Sequence, residues 1–199
     1  MMRAAEQDRP DVKAHRKRWR QQQTTWDVRR LVFIDESGVN TKMARLYGRS
    51  LSNERCVDKV PHGHWKTSTF IAALRHDRID APMIFDGPMN GQTFLHYIRL
   101  VLVPTLKPGD LVICDNLSSH KTQGVREALQ AAGADIEYLP AYSPDLNPIE
   151  LAFAKIKSHL RAKAVRSLDM IIQELGEALK TFCSKTCSNL FRHANYASM

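Results

Sequence analysis

No stretch of this chain is apolar over anything near the roughly 20 residues that a helix needs to span a bilayer. A membrane-spanning reading is excluded, and no membrane partner is expected. The first 30 residues are polar and basic throughout, which excludes a secretory signal there. Cysteine is scarce: Cys56, Cys114, Cys183 and Cys187 are the full complement of 199 residues. That is no disulfide scaffold, and a chain this long buries a core without staples. Free thiols in a reducing cytosol are expected. Cys183 and Cys187 lie four apart on a stretch read as helix, with His193 beyond. A metal corner there lacks the second ligand pair that zinc needs, and core thiols are favoured. Internal repeats and low-complexity tracts are absent, which excludes a solenoid or a disordered array.

What is present is ordinary for one globular domain with an appendage, 43% hydrophobic and 25% charged, except for a net charge of +8. That charge is unevenly spread. Residues 1–30 carry nine Lys or Arg against four acids, and residues 151–166 carry Lys155, Lys157, Arg161, Lys163 and Arg166 with no acid. The remainder is slightly acidic. Two basic zones around a mildly acidic centre suggest a nucleic-acid partner. The alternative is a pair of solvated helix faces.

The chain divides into a basic lead-in over 1–27, helical or loose, and a folded domain over 28–199. Within that domain the apolar run 31–34 reads as a buried strand closed by Asp35-Glu36-Ser37-Gly38. Residues 65–74 and 81–85 read as two more strands, the last closed by Asp86-Gly87-Pro88. Helical spacing runs over 91–106. Residues 111–114 form another apolar strand ending in Asp115-Asn116, a helix follows over 122–132, and 136–139 is the last strand. Asn147 as N-cap and Pro148 at the first helical position start a helix. A further helix spans about 167–183. Three strands close in sequence predict an antiparallel meander, and strands separated by helices predict parallel pairing. The expected fold is therefore α/β: a mixed five-stranded sheet, three antiparallel strands then two parallel, with helices on both faces.

Two buried strands end in acids, Asp35 and Asp115, and 34 residues separate Asp115 from Glu150 in the first turn of a helix. Clustered carboxylates repel one another unless cations neutralise them. Oxygen-only ligands suit Mg²⁺ or Mn²⁺, and two such ions about 3.5–4 Å apart serve phosphodiester displacement. Taken alone, a strand-end Asp is more often a turn residue. The helix after Glu150 adds to the case. At about 100° per residue, Ile149, Phe153, Ile156 and Leu160 form a core stripe, while Lys157 and Arg161 fall within about 20° of Glu150. One face then carries the acid and, further along, cations for a phosphate backbone.

The segments LVFIDESG (31–38), LVICDNLSSHK (111–121) and YLPAYSPDLNPIELAFAKIK (138–157) resemble the three acidic motifs of the DDE transposases of the mariner-like superfamily, nearest to its bacterial insertion-sequence branch. VPHGHWKTSTFIAALR (60–75) and FDGPMNGQTF (85–94) are similar to that branch as well, so the likeness runs over roughly 28–197. The resemblance implies an RNase H-like fold, with Asp35, Asp115 and Glu150 as catalytic, metal-holding acids for Mg²⁺ or Mn²⁺, as two ions. It implies cleavage of DNA at transposon ends and transfer of the freed 3′-hydroxyl into target DNA, often at a TA step, by a homodimer. The implied setting is the bacterial cytoplasm, at the nucleoid when DNA-bound. Asn116 and His120 take support roles, with helix-end packing the alternative for His120. Lys155, Lys157, Arg161, Lys66 and Lys121 are the candidate DNA contacts. Family members carry helix-turn-helix modules ahead of the catalytic domain, and 34 residues before Asp35 leave no room for them. The expectation is a separately encoded N-terminal part, a fragment or a decayed copy.

Other residues invite weaker readings. Glu36 should point away from Asp35, to the opposite side of the strand. Asp86 and Asp145 read as local turn-makers. His62 and His64 could form a metal pair. Trp65 and Arg75, like Lys66, could touch DNA, though a half-buried strand explains them. Competing functions are a truncated, non-catalytic nucleic-acid-binding remnant and an RNase H-like nuclease without strand transfer. A phosphohydrolase ranks last, because it needs a second Asp two residues after the first and position 37 is Ser.

Overall fold

Leu31-Val32-Phe33-Ile34 lies at the middle of a five-stranded sheet in the computed structural model, which describes residues 5–45, 47–57, 59 and 65–196. The strands are β1 (Leu31–Asn40), β2 (Thr67–Leu74), β3 (Ile79–Asp86), β4 (Leu111–Cys114) and β5 (Asp135–Tyr138), in the order β3-β2-β1-β4-β5. β1, β2 and β3 pair antiparallel, and β1, β4 and β5 pair parallel, as the spacing of strands and helices predicts. Continuous apolar runs are required because both faces are covered. Leu31, Phe33, Ile113, Phe70 and Leu74 belong to one core, and Val32, Ile34, Val112, Cys114 and Ile71 to the other.

The six longer helices are α1 (Pro10–Gln22), α2 (Gly91–Tyr97), α3 (Val125–Ala131), α4 (Ile149–Ala162), α5 (Leu168–Lys180) and α6 (Ser184–His193). α4, α5 and α6 cover the Phe33 face, and α2 and α3 cover the Val32 face. Ile149, Phe153, Ile156 and Leu160 are all buried, as their spacing requires. No helix among the described residues is long and apolar enough to cross a membrane.

Several element ends differ from expectation. Residues 35–38 do not close the first strand: β1 continues to Asn40, because β2 pairs with it through Asp35, Glu36, Ser37 and Gly38. α2 continues past Tyr97 as a π turn over Ile98–Leu102, in which the Val103 N–H bonds back to the Ile98 carbonyl, and a 3₁₀ turn over Val103–Thr105. Pro104 has no N–H to continue the α ladder. α3 starts at Val125, not at 122, because Gly124 holds φ +90° and residues 118–121 form a separate 3₁₀ turn. The helix expected over 167–183 ends at Lys180, and α6 is a distinct element. Asn147 is not an N-cap: α4 begins after Pro148 with no side-chain cap, and the Asn147 side chain is engaged elsewhere.

The lead-in is also more ordered than its composition suggests. α1 buries Val12, Arg16 and Trp19, a stripe at helical spacing, while Lys13, Lys17, Arg18 and Arg20 stay exposed. Trp19 joins the core under the Phe33 face.

Candidate active site

β1 and β4 run parallel with Phe33 opposite Ile113. Two residues further on, both chains reach an acid: Asp35 lies within β1, still paired with Ala72 of β2, and Asp115 lies just past the end of β4, beside it. The chain from β5 then turns through Pro144–Leu146 and enters α4, which brings Glu150 to the same place. The three acids line one cleft of about 420 Å³, with Asn116, Asn147 and the 139–144 segment.

Asp35 is 8% exposed. Its Oδ1 accepts the Glu36 N–H (2.8 Å) and its Oδ2 accepts Asn147 Nδ2 (2.9 Å). Burial first, then the charge of Glu150, push its carboxyl up to about 8, with Glu36 and Asp115 adding to the rise and the Glu36 N–H opposing it. Burial likewise raises Glu150; Lys157 opposes and Asp115 adds. The acids therefore sense one another through a poorly solvated cleft, which a divalent cation would relieve. Among the described residues no three His, Cys, Asp or Glu side chains stand close enough to enclose an ion unaided. The donor set instead fits hydrated Mg²⁺ or Mn²⁺, which binds through one or two carboxylates, waters and substrate phosphates rather than an all-protein cage.

Behind Asp115 lies a fully buried imidazole. His120 Nδ1 stands 2.5 Å from Asp115 Oδ1 as an ion pair without hydrogen-bond alignment, and Nε2 is 3.2 Å from Glu36 Oε1. Its ring stacks on Phe94 at 4.2 Å. Burial works to discharge the ring, but Asp115, Cys114 and Glu36 outweigh it and push its pKa above the ordinary histidine value, so the ring stands between two carboxylates that favour its charged form. Glu36 thus serves the opposite face from Asp35, as strand alternation predicts.

The other candidates separate in space. Asn116 is exposed in the cleft. Lys157 and Arg161 join Lys42 around a neighbouring groove of about 220 Å³. Lys155 leaves that face, with Nζ on the Thr181 carbonyl (3.3 Å) and over the Phe182 ring. Lys121 sits over Tyr138, beside Arg126 in a different groove. Lys66 pairs by its backbone with Thr41 at the foot of the β1–β2 excursion, near Trp65, whose ring carries Lys42 Nζ. Arg75 is no DNA contact: it is buried, with ion pairs to Asp110 (2.7 Å) and Asp80 (3.0 Å). Asp86 ends β3 and accepts Ser68 Oγ. Asp145 is not a local turn-maker but the partner of Arg16 (2.6 Å). Cys187 is a core thiol and Cys183 is exposed. His62 and His64 lie outside the described residues. The sequence reading missed Asn147, Arg16 and Lys42 as site neighbours. A buried amide carries no spacing signal, and Arg16 stands within a run of ordinary surface cations.

Residues 30–172, which hold all three acids, match the family model described as a DDE superfamily endonuclease. The chain belongs to that superfamily. No curated protein sequence matches it. Among solved structures, this DDE chain is similar to the catalytic domain of Mos1 mariner transposase, at TM-score 0.68 and 13% identity over 98% of this chain and 92% of that one. It is also similar to Mos1 transposase in a paired-end complex with the left transposon end (TM-score 0.72, 16% identity, 92% of this chain and 57% of that one) and in a pre-cleavage transpososome (0.75, 14%, 98% and 62%). The DDE chain thus spans roughly three fifths of those longer chains. The shared architecture is the RNase H-like fold.

Proposed function

We propose that this chain is the catalytic domain of a transposase of the insertion-sequence type, which cuts DNA at transposon ends and joins the freed 3′-hydroxyl to target DNA. The observation that carries the reading is the convergence of Asp35, Asp115 and Glu150, from two parallel strands and a helix start, on one cleft beside a groove lined by Lys42, Lys157 and Arg161. The three carboxylates would hold Mg²⁺ or Mn²⁺, as two ions. When bound, the ions supply charge neutralisation at the phosphate and a lowered pKa for the attacking oxygen. Mos1 structures with Mn and with Mg are among the similar folds and support that choice.

The chain's own residues do the rest. Asn147 and the Glu36 N–H hold Asp35 by separate oxygens. His120 holds Asp115 from behind, and Asn116 stands in the cleft with a side chain able to contact phosphate. Lys157 and Arg161, two and three turns beyond Glu150 on the same helix face, would take the backbone leading into the cleft. In cleavage, a water oxygen bonds to phosphorus and the 3′-oxygen leaves; in joining, that 3′-hydroxyl displaces the 3′-oxygen of a target phosphodiester. The reading extends to a homodimer on paired ends, end recognition by a separately encoded helix-turn-helix part, and a bacterial cytoplasmic, nucleoid-associated setting.

The test is nicking of supercoiled plasmid with Mg²⁺ or Mn²⁺ by the chain, beside Asp35→Asn, Asp115→Asn and Glu150→Gln. The expected result is metal-dependent nicking, lost in each variant by more than the roughly 10–100-fold typical of outer-shell groups, with the fold retained. Full activity in any variant would remove that residue from the triad. A folded chain that binds DNA but never nicks would favour the non-catalytic remnant, and nicking without joined products would favour the plain nuclease.

A further inference from the structure

α1 grips the turn before α4 from two sides. Arg16 donates from Nη1 to Ser143 Oγ (2.6 Å) and Asp145 Oδ1 (2.9 Å), and from Nη2 to Asp145 Oδ2 (2.6 Å). One turn along, Trp19 Nε1 donates to the Tyr196 hydroxyl (2.7 Å), which donates onward to the Leu146 carbonyl (2.8 Å). Before the turn, Gln7 Nε2 reaches the Tyr142 carbonyl (2.6 Å). The turn is therefore held at Ser143, Asp145 and Leu146. The next residue, Asn147, is 3% exposed and donates to Asp35, while its Oδ1 faces no partner. Glu150 follows three residues later.

A buried guanidinium stabilises a fold little better than a well-packed apolar side chain of its size. What two arms on one carboxylate add is direction. We infer that Arg16 is a positioning residue: through Ser143 and Asp145 it sets where Asn147 meets Asp35 and where Glu150 enters the cleft, which makes α1 part of the active-site scaffold. This inference rests on the catalytic reading above.

The test compares the parent chain with Arg16→Gln, Arg16→Lys, Asp145→Asn and the remote surface control Lys180→Gln. Hydrogen exchange is read over residues 142–150, Mn²⁺ affinity by water-proton relaxation, and nicking as a function of Mn²⁺ concentration. In Arg16→Gln, exchange over 142–150 should quicken while that of α2 and α5 stays at the parent level, and Mn²⁺ affinity should fall about tenfold, in the range seen for outer-shell partners. Nicking at saturating Mn²⁺ should recover to within about threefold of the parent, the split expected when ligand placement and not the chemical step is disturbed. Arg16→Lys, which keeps the charge and loses the fork, should fall between the two, and Lys180→Gln should match the parent. A folded Arg16→Gln with parental exchange at 142–150 and parental Mn²⁺ affinity would overturn the inference, even if it melts lower. Should Arg16→Gln not fold, Arg16→Lys and Asp145→Asn carry the same comparison. A parent that binds no Mn²⁺ removes the catalytic reading and this inference together; a parent that binds, with variants unchanged, removes only the inference.

Discussion

Asn147 shows how much one side chain decides at this site. Its amide nitrogen holds Asp35, and its oxygen is buried without a partner at the cleft wall. Replacing it by Asp would set a second carboxylate against one already pushed up by burial and by Glu150. Asn147→Asp should therefore melt lower in the absence of divalent metal, with Mn²⁺ restoring part of the loss. Asn147→Leu removes the donor and leaves a buried Asp35 oxygen unpaired, a cost of about 1–3 kcal/mol. Thermal melting with and without Mn²⁺ separates the two, and equal melting of both variants and parent would deny Asn147 any hold on Asp35. His120 illustrates the same scale on the other face, where a single imidazole stands between Glu36 and Asp115 and ties the two sides of the sheet to one site.

Among the elements, α1 is the one whose composition misleads most. Its charged surface reads as a lead-in, yet Trp19 is 2% exposed and bonded to Tyr196 near the other end of the chain. Trp19→Ala should cost about 3–5 kcal/mol, the range for large aromatic truncations in a core, measured by denaturant unfolding; a change below about 1 kcal/mol would mean α1 is only laid on the surface. The Arg16–Asp145 pair adds a pH dependence. The hydrogen bond from Arg16 holds the Asp145 carboxyl below its ordinary value. A depressed folded pKa contributes stability that is present above the unfolded value and lost as pH falls through the folded one. The difference in melting temperature between the parent and Arg16→Gln should then be constant at neutral pH and shrink once pH drops below about 4. A difference that persists unchanged to pH 2 would assign the effect to packing alone.

For the whole molecule, a net charge of +8 favours a polyanionic partner, and under the proposed function geometry decides which cations would face DNA. Lys157 and Arg161 share a groove with Lys42, whereas Lys155 is occupied by Thr181 and Phe182. Lys157→Gln and Arg161→Gln should each reduce the slope of log affinity against log salt by about one, as loss of one phosphate contact does. Lys155→Gln should leave it unchanged. Binding titrations across salt concentrations test this, and equal slopes for all three variants would place the DNA track elsewhere.

The readings that came directly from the sequence are those governed by local rules. Apolar runs followed by acids, helices between the later strands and the spacing around α4 were enough for a mixed sheet with three acids near one another, because strand burial and helix periodicity depend on near neighbours along the chain; that β1 runs on past Asp35 to Asn40 was not legible, since its second half is held by β2. The acidic motifs carried the family likeness for the same reason. Contacts across more than 100 residues were not legible. Arg16 to Asp145, Asn147 to Asp35 and Trp19 to Tyr196 join residues whose types are common on any surface or turn, and each pairing exists only because the sheet order places β1 beside β4 and lays α1 across the turn into α4. Which polar side chains are buried, and against what, is a property of the packed molecule: burial makes an unpartnered group costly, and only the tertiary arrangement supplies the partner.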